Sequence, residues 1–271
     1  MTTTPIAYPQ PISRGAWIGR HWLGAFNLAF GAFVLLPFAA PVLMALNAPS
    51  LARVLYVFYS FVCHQLPERS WFLFGPHVSY PLARFVELTG SANPLALREF
   101  IGNAEMGFKV AWSDRMVSLY SSFWAGSLIY AALRSRIRPL AFVLFILLLA
   151  PLAVDGLTHM VSDIQGLGMG FRDTNAWLSA VTNAALPPDF YAGDAWGSFN
   201  SAMRLATGVA AGLGVAWLVL PRLDSFVGGI APQQPDRQPQ GKTHADAYGD
   251  RNKQPDGLNR HHHDWLIESS A

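Results

Sequence analysis

The fold class that this 271-residue sequence predicts is all-α: an integral membrane bundle of about five transmembrane helices, with short interfacial helices and a disordered C-terminal tail. Three observations predict it. Charged residues are 13% of the chain, about half the ~25% usual in soluble domains. Hydrophobic residues reach 52%, and mean hydropathy is +0.25 despite a very polar tail. The apolar residues are gathered in runs long enough to cross a bilayer.

The same figures exclude several classes. Nineteen basic against 17 acidic residues leave a net charge of +2, too little for charge-driven nucleic-acid binding. No nucleic-acid partner is expected, and the lipid bilayer is the first partner. A single cysteine excludes a disulfide framework, an internal CxxC redox pair and a Cys-rich zinc module.

A helix needs about 20 apolar residues to cross a ~30 Å hydrocarbon core. Residues 1–22 read as an N-terminal segment, and the first span, 23–46, follows without a charge and with Trp22 at its edge. It is longer than the ~7–15 apolar residues of a signal peptide and is followed by no A-x-A site, so it reads as uncleaved. The second, 50–65, reaches span length only if it runs to Gln65; Pro67 forbids an easy continuation. The others are 116–133, 139–161 with Asp155 and His159 as interruptions, and 204–220, stopped by Pro221-Arg222. Together 23–227 form the membrane domain. From 228 to 271 the chain turns to Pro, Gln, Asp, Asn and Gly, a composition that cannot bury enough apolar surface to order itself.

Two connections look folded. After Pro81, Leu82, Phe85 and Val86 have helical spacing, and Asn93-Pro94 reads as an N-cap followed by a helix-starting proline; both predict amphipathic helices at the interface. The stretch 166–203 reads as a folded lid. Arg134, Arg136 and Arg138 crowd one short link, which the positive-inside rule places in the cytoplasm. Five spans then put the amino terminus outside a multi-pass cell-membrane protein and the tail in the cytoplasm, with Arg14 and Arg20 arguing the other way.

Topology gathers the polar residues. In an up-and-down chain the end of each even span and the start of the next odd one share a membrane face. Cys63-His64-Gln65, Asp114-Arg115, Asp155 to His159 and Arg204 therefore converge. Asp155 and His159 lie four residues apart, about 40° around a helix, and so share a face. An ionisable group inside a span costs several kcal/mol unless it meets a partner or water. The candidate pocket comprises Cys63, His64, Gln65, Glu68, Arg69, Asp114, Arg115, Tyr120, Asp155, His159, Arg204 and Thr207.

Several readings of that pocket compete. Cys63, His64, Asp155 and His159 have donor types suited to zinc or another transition metal, although no tight spacing motif joins them. Arginines 115 and 204 would suit an anionic head group or carboxylate; Glu68–Arg115 or Asp114–Arg204 pairing is the plain structural outcome. Gly208, Gly212 and Ala216 form a small-residue stripe for close helix packing, inside the protein or in a homo-oligomer or larger membrane complex. Gly166-Leu167-Gly168-Met169-Gly170 follows no strand and lacks dinucleotide-loop spacing. No catalytic triad, HExxH or Walker motif is present.

Cys63-His64-Gln65-Leu66-Pro67-Glu68-Arg69-Ser70, Lys109-Val110-Ala111-Trp112-Ser113-Asp114-Arg115, Pro151-Leu152-Ala153-Val154-Asp155-Gly156 and Arg204-Leu205-Ala206-Thr207-Gly208 resemble the DUF2085 family of bacterial and archaeal membrane proteins. The resemblance runs from about 51 to 223 and is most specific at CHQ-P-RS and DG. It implies a multi-spanning membrane protein with Cys63, His64, Arg69, Asp155 and Arg204 as a common polar core, and no reaction to transfer. Two positions depart from the family's pattern: Ser113 stands where cysteine is frequent, and His159 where Gln is common. The leading expectation is a polar pocket at one membrane face that binds a small ligand, lipid head group or metal. One alternative is an enzyme on lipid or thiol chemistry, with Asp155 as base, Cys63 as nucleophile and Arg115 and Arg204 holding anionic charge. The other is an accessory subunit that joins a complex through the Gly208–Gly212 face.

Overall fold

Four helices among the described residues of the computed structural model, 14–134 and 136–230, are long and apolar enough to cross a bilayer. They are α1 (Arg14–Ala45), α5 (Asp114–Leu133), α6 (Phe142–Asp163) and α10 (Phe199–Ile230). The helical class is as expected. The first 13 residues, and all of the polar tail beyond 230, lie outside the described residues; its first three residues close α10.

The expected second span is a 12-residue helix, α2 (Pro49–Ser60). At ~1.5 Å per residue it covers ~18 Å, little more than half a bilayer core. It ends because side chains beyond it capture backbone groups that a longer helix would need. The Gln65 amide donates to Tyr56 O at 2.8 Å, Cys63 Sγ accepts from Gln65 N at 3.4 Å, and His64 Nδ1 accepts from Leu66 N at 3.1 Å. Gln65 also takes a positive φ of 54°.

Helices α1 and α5 run antiparallel. Phe33 meets Tyr120 at 5.5 Å, Phe30 meets Phe123 at 4.9 Å, and Asn27 O accepts from Trp124 Nε1 at 3.0 Å. At the far end the Arg134 guanidinium donates to Gly19 O at 3.2 Å and pairs with Asp224 of α10. Asp224 also accepts from Tyr130 (2.9 Å) and from Trp22 of α1 (3.1 Å). The beginning of α1 and the last turns of α10 therefore lie at one end, in place of the opposed ends that five spans imply.

Helices α5 and α10 are joined by the small-residue stripe. A Cβ at Gly208 would overlap Ser118 Oγ, and one at Gly212 would overlap Ser122 Oγ and the Leu119 carbonyl. One on Gly126 would lie 2.9 Å from the Ala216 methyl. The stripe is an internal seam of the bundle.

At the other end sits a small head. Strands β1 (Ser70–Leu73), β2 (Gly102–Asn103) and β3 (Gly107–Ser113) form an antiparallel sheet in the order β1-β3-β2, with Ser70 opposite Ser113 and Gly102 opposite Phe108. The sheet is an addition to the expected all-α bundle with its short interfacial helices. Strand β3 is buried on both faces, so it lacks the alternation that marks a half-exposed strand. Trp112 on it meets Phe33 at 5.2 Å and Tyr59 at 5.3 Å.

The expected helices α3 (Leu82–Thr89) and α4 (Pro94–Glu99) are present, the latter capped by Asn93 Oδ1 on Leu95 N at 2.8 Å. Their apolar faces turn into protein. Phe85 and Leu97 are fully buried in a core with Phe72, Tyr80, Met106 and Leu167. The stretch after α6 is folded, through α7 (Phe171–Thr174), α8 (Ala176–Val181) and α9 (Pro188–Tyr191).

The seam yields a test. Gly212→Ala forces apart α5 and α10 against a backbone carbonyl and is expected to cost about 1–3 kcal/mol. Gly24→Ala, with nothing within 4 Å of the new methyl, should leave the melting temperature in detergent unchanged or slightly raised. Equal melting of both variants would contradict the seam.

Candidate functional site

At the head end of the bundle, four arginines and four aspartates interlock. Asp114 opens α5 and receives Arg204 of α10 through two bonds of 2.8 Å. Arg204 Nη1 also donates to Asp194 at 2.6 Å. Asp194 in turn receives Arg69 Nε at 2.8 Å, and the Arg69 fork closes on Asp163 at 2.7 and 2.8 Å. Beside this chain, Asp155 accepts from Arg115 and from Arg172, each at 2.6 Å. Arg172 Nη2 also lies 3.1 Å from His159 Nε2, and His159 is 3.9 Å from Asp155.

Each charge is placed by a local cause. Asp114 and Arg115 are adjacent at a helix start, so they serve the two halves of the network. Asp155, His159 and Asp163 recur every fourth residue on one face of α6. Arg69 is presented by a 3₁₀ turn, Pro67–Arg69. Arg172 is set by α7, whose approach to α6 requires a residue without a side chain, because a Cβ on Gly170 would overlap Ser162. Asn175, at a positive φ of 42°, holds the lid by donating to Arg172 O and Tyr191 O at 2.7 Å each.

The four guanidinium and four carboxylate charges balance. Burial alone would push the Asp194 carboxyl up, but Arg69 and Arg204 hold it well below the ordinary carboxylate range. The arginines proposed to receive an anionic head group are thus engaged by the protein's own aspartates, and the Asp114–Arg204 pairing is the one realised.

Other sequence candidates are placed differently. Cys63 Sγ accepts from Ser113 N at 3.3 Å and lies 3.6 Å from Ser113 Oγ, buried behind β3. His64 binds a backbone amide, and Asp155 is committed to two arginines. Among the described residues, no group of three or more His, Cys, Asp or Glu side chains is arranged to hold a metal ion. The four proposed metal ligands are therefore not gathered. Tyr120 stacks on Trp112 at 4.9 Å in the aromatic core, and Thr207 bonds back to Met203 O at 2.7 Å; neither belongs to the ionic cluster.

Sequence reading missed Asp163, Arg172, Asp194 and Lys109. Asp163 continues the Asp155–His159 spacing by one turn. Lys109, fully buried on β3, donates to Gln65 O at 2.9 Å and Arg98 O at 2.5 Å. Burial pulls its ammonium down to about 7.

Glu68 is a buried carboxylate left without a partner. It is 2% exposed, and neither carboxylate oxygen has a hydrogen-bond partner. It lines a cleft of about 910 Å³ between the 3₁₀ turn, α3 and the lid, with Leu82, Val86, Leu167, Asp173, Asp189, Asp194 and Trp196 among its walls.

Residues 104–218 match the model of the family described as Predicted membrane protein (DUF2085). The match contains Asp114, Arg115, Asp155, Asp163, Arg172, Asp194 and Arg204, and begins after Cys63–Ser70. With the four apolar helices, it makes this a membrane protein. No curated protein and no solved structure matches the chain.

Burial pushes Glu68 up from 4.5 to about 7. Between those values the folded protein keeps a proton that the unfolded chain has released. The stability linked to that proton is full below pH ~4.5 and is lost as pH rises through ~7. Glu68→Gln removes this loss, so the variant should match wild type near pH 4 and exceed it by up to about 3 kcal/mol near pH 8. A difference independent of pH in detergent unfolding would contradict it.

Proposed function

We propose that the protein is a membrane-anchored receptor for a small molecule, which it binds in the cleft of its head. The observation that carries this reading is the cleft itself. A volume of about 910 Å³ falls within the ~300–1,000 Å³ typical of small-ligand sites. Its walls come from three separate parts of the chain: the 3₁₀ turn, α3 and the stretch 167–196. Arg69 and Asp194 line it, and they belong to the lattice that ties lid to bundle, so it is a site on a rigid frame.

The sidedness follows from charge. Arg134, Arg136, Arg138 and Arg222 lie at or beside the bundle end opposite the head. By the positive-inside rule that end faces the cytoplasm, and the head with its cleft faces outward. Arg20, awkward for a five-span arrangement, then falls on the same cytoplasmic side.

Enzymatic and accessory-subunit readings have less support. Cys63 is buried against Ser113, and the Gly208–Gly212 face is occupied by α5.

A cysteine at Ala192→Cys, on the exposed cleft wall, tests both parts. Wild type serves as the blank, because its single cysteine is buried. A membrane-impermeant maleimide should label the variant in intact cells. In native mass spectrometry, protein purified from its own membranes should carry a small-molecule mass addition that labelling abolishes. Labelling only after cell lysis contradicts the sidedness, and a mass addition that survives labelling, or none at all, contradicts the cleft as the binding site.

A further inference from the structure

We propose that the cleft takes a cationic amine, its ammonium group set against Glu68 and its apolar body against Leu82, Val86, Leu167 and Trp196; this rests on the cleft being the ligand site. Five carboxylates line the cleft, those of Glu68, Glu87, Asp173, Asp189 and Asp194, against one guanidinium, that of Arg69. The charge of Arg69 is already matched within the protein: its Nε donates to Asp194 and both Nη groups donate to Asp163. An anionic ligand would therefore meet a wall of like charge.

Glu68 points to the complementary ligand. It is 2% exposed, and both oxygens lack partners, whereas Asp194 and Asp173 in the same cleft are held by arginine and by a backbone amide. Of the cations nearby, Arg69 is turned to Asp163 and Asp194, and the Lys109 ammonium to the Gln65 and Arg98 carbonyls. A buried acceptor left unmade is costly, and a donor arriving with a ligand would recover that cost. Burial raises the Glu68 and Asp173 carboxyls and outweighs the opposing charge of Arg69.

An ammonium brings three donors and one positive charge. A multivalent metal ion is less suited, since no group of three ligating side chains is gathered among the described residues. The apolar walls require a hydrocarbon body. Trp196, held edge-on to Trp71 at 5.6 Å and through its backbone N–H on Ser79 Oγ at 2.6 Å, offers a fixed ring face for it.

The test uses three isosteric probes on the full-length protein in lipid nanodiscs by calorimetry near neutral pH: 2-phenylethylamine, 2-phenylethanol and phenylacetate. The amine should bind at least about tenfold tighter than the alcohol, with phenylacetate weakest. Glu68→Gln should erase that advantage while leaving the alcohol's affinity in place. Asp189→Lys, at the exposed rim where folding is not at stake, should weaken the amine several-fold. Equal binding of amine and alcohol, or an amine affinity indifferent to both substitutions, overturns the cationic assignment and leaves the cleft a ligand site. Absence of amine binding up to about 10 mM overturns it as well. The mass addition described above then decides whether the receptor reading falls with it.

Discussion

Asp194 sits between two guanidinium groups brought from distant parts of the chain, and the head depends on that bridge. Arg69 arrives from the 3₁₀ turn ahead of β1, and Arg204 from the first turns of α10. Asp194 itself stands in the lid, so one carboxylate fastens lid, sheet and bundle together. Arg204 carries the connection to Asp114 and hence to α5, while Arg69 carries it to Asp163 at the end of α6. The cleft is a by-product of this fastening, because two of the linked groups are also its walls.

A lattice of this kind does not add stability in proportion to its bonds. Taking ions out of water costs several kcal/mol each, and their mutual attraction does little more than offset it. What it supplies is register. Four arginines meeting four aspartates through bidentate and bridging contacts satisfy one arrangement of lid on bundle, and any slip strands a buried charge. The apolar clusters on either side are less selective: the Trp112 aromatic core would tolerate small rotations that the ion pairs would not. Glu68 stands apart because it lacks the partner that each of those aspartates has, beside a cleft that is open to a visitor.

How much of this was readable before the structure depended on the physical signal. Charges in apolar spans are costly and therefore conspicuous, so Asp114, Asp155, His159 and Arg204 could be named, and simple topology brought them to one end. The helices α3 and α4 were legible from Pro81 and Asn93-Pro94, but not the core into which Phe85 and Leu97 turn, since helical spacing says which face is apolar and nothing of what covers it. The stop at Ser60 was hidden because it depends on Gln65 and His64 bonding to backbone, a contact with no periodicity. Strand β3 was hidden because it is buried on both faces. Arg172 and Asp194 lie in a lid of short helices and turns, where charge is ordinary and tertiary placement alone makes them exceptional. Of the residues that carry the resemblance at Cys63–Ser70, Cys63 packs on Ser113, while Glu68 and Arg69 line the cleft.

The central claim is that the buried charges act as mutually neutralising partners that hold the head in place. A double-mutant cycle on Asp114 and Arg204, followed by unfolding in detergent, tests it most directly. Asp114→Asn and Arg204→Gln should each cost about 3–5 kcal/mol, and the double variant should fall short of their sum by at least about 2 kcal/mol, because neither is then left as an uncompensated buried charge. Losses that add to within about 0.5 kcal/mol would show the two side chains acting independently and would contradict the account.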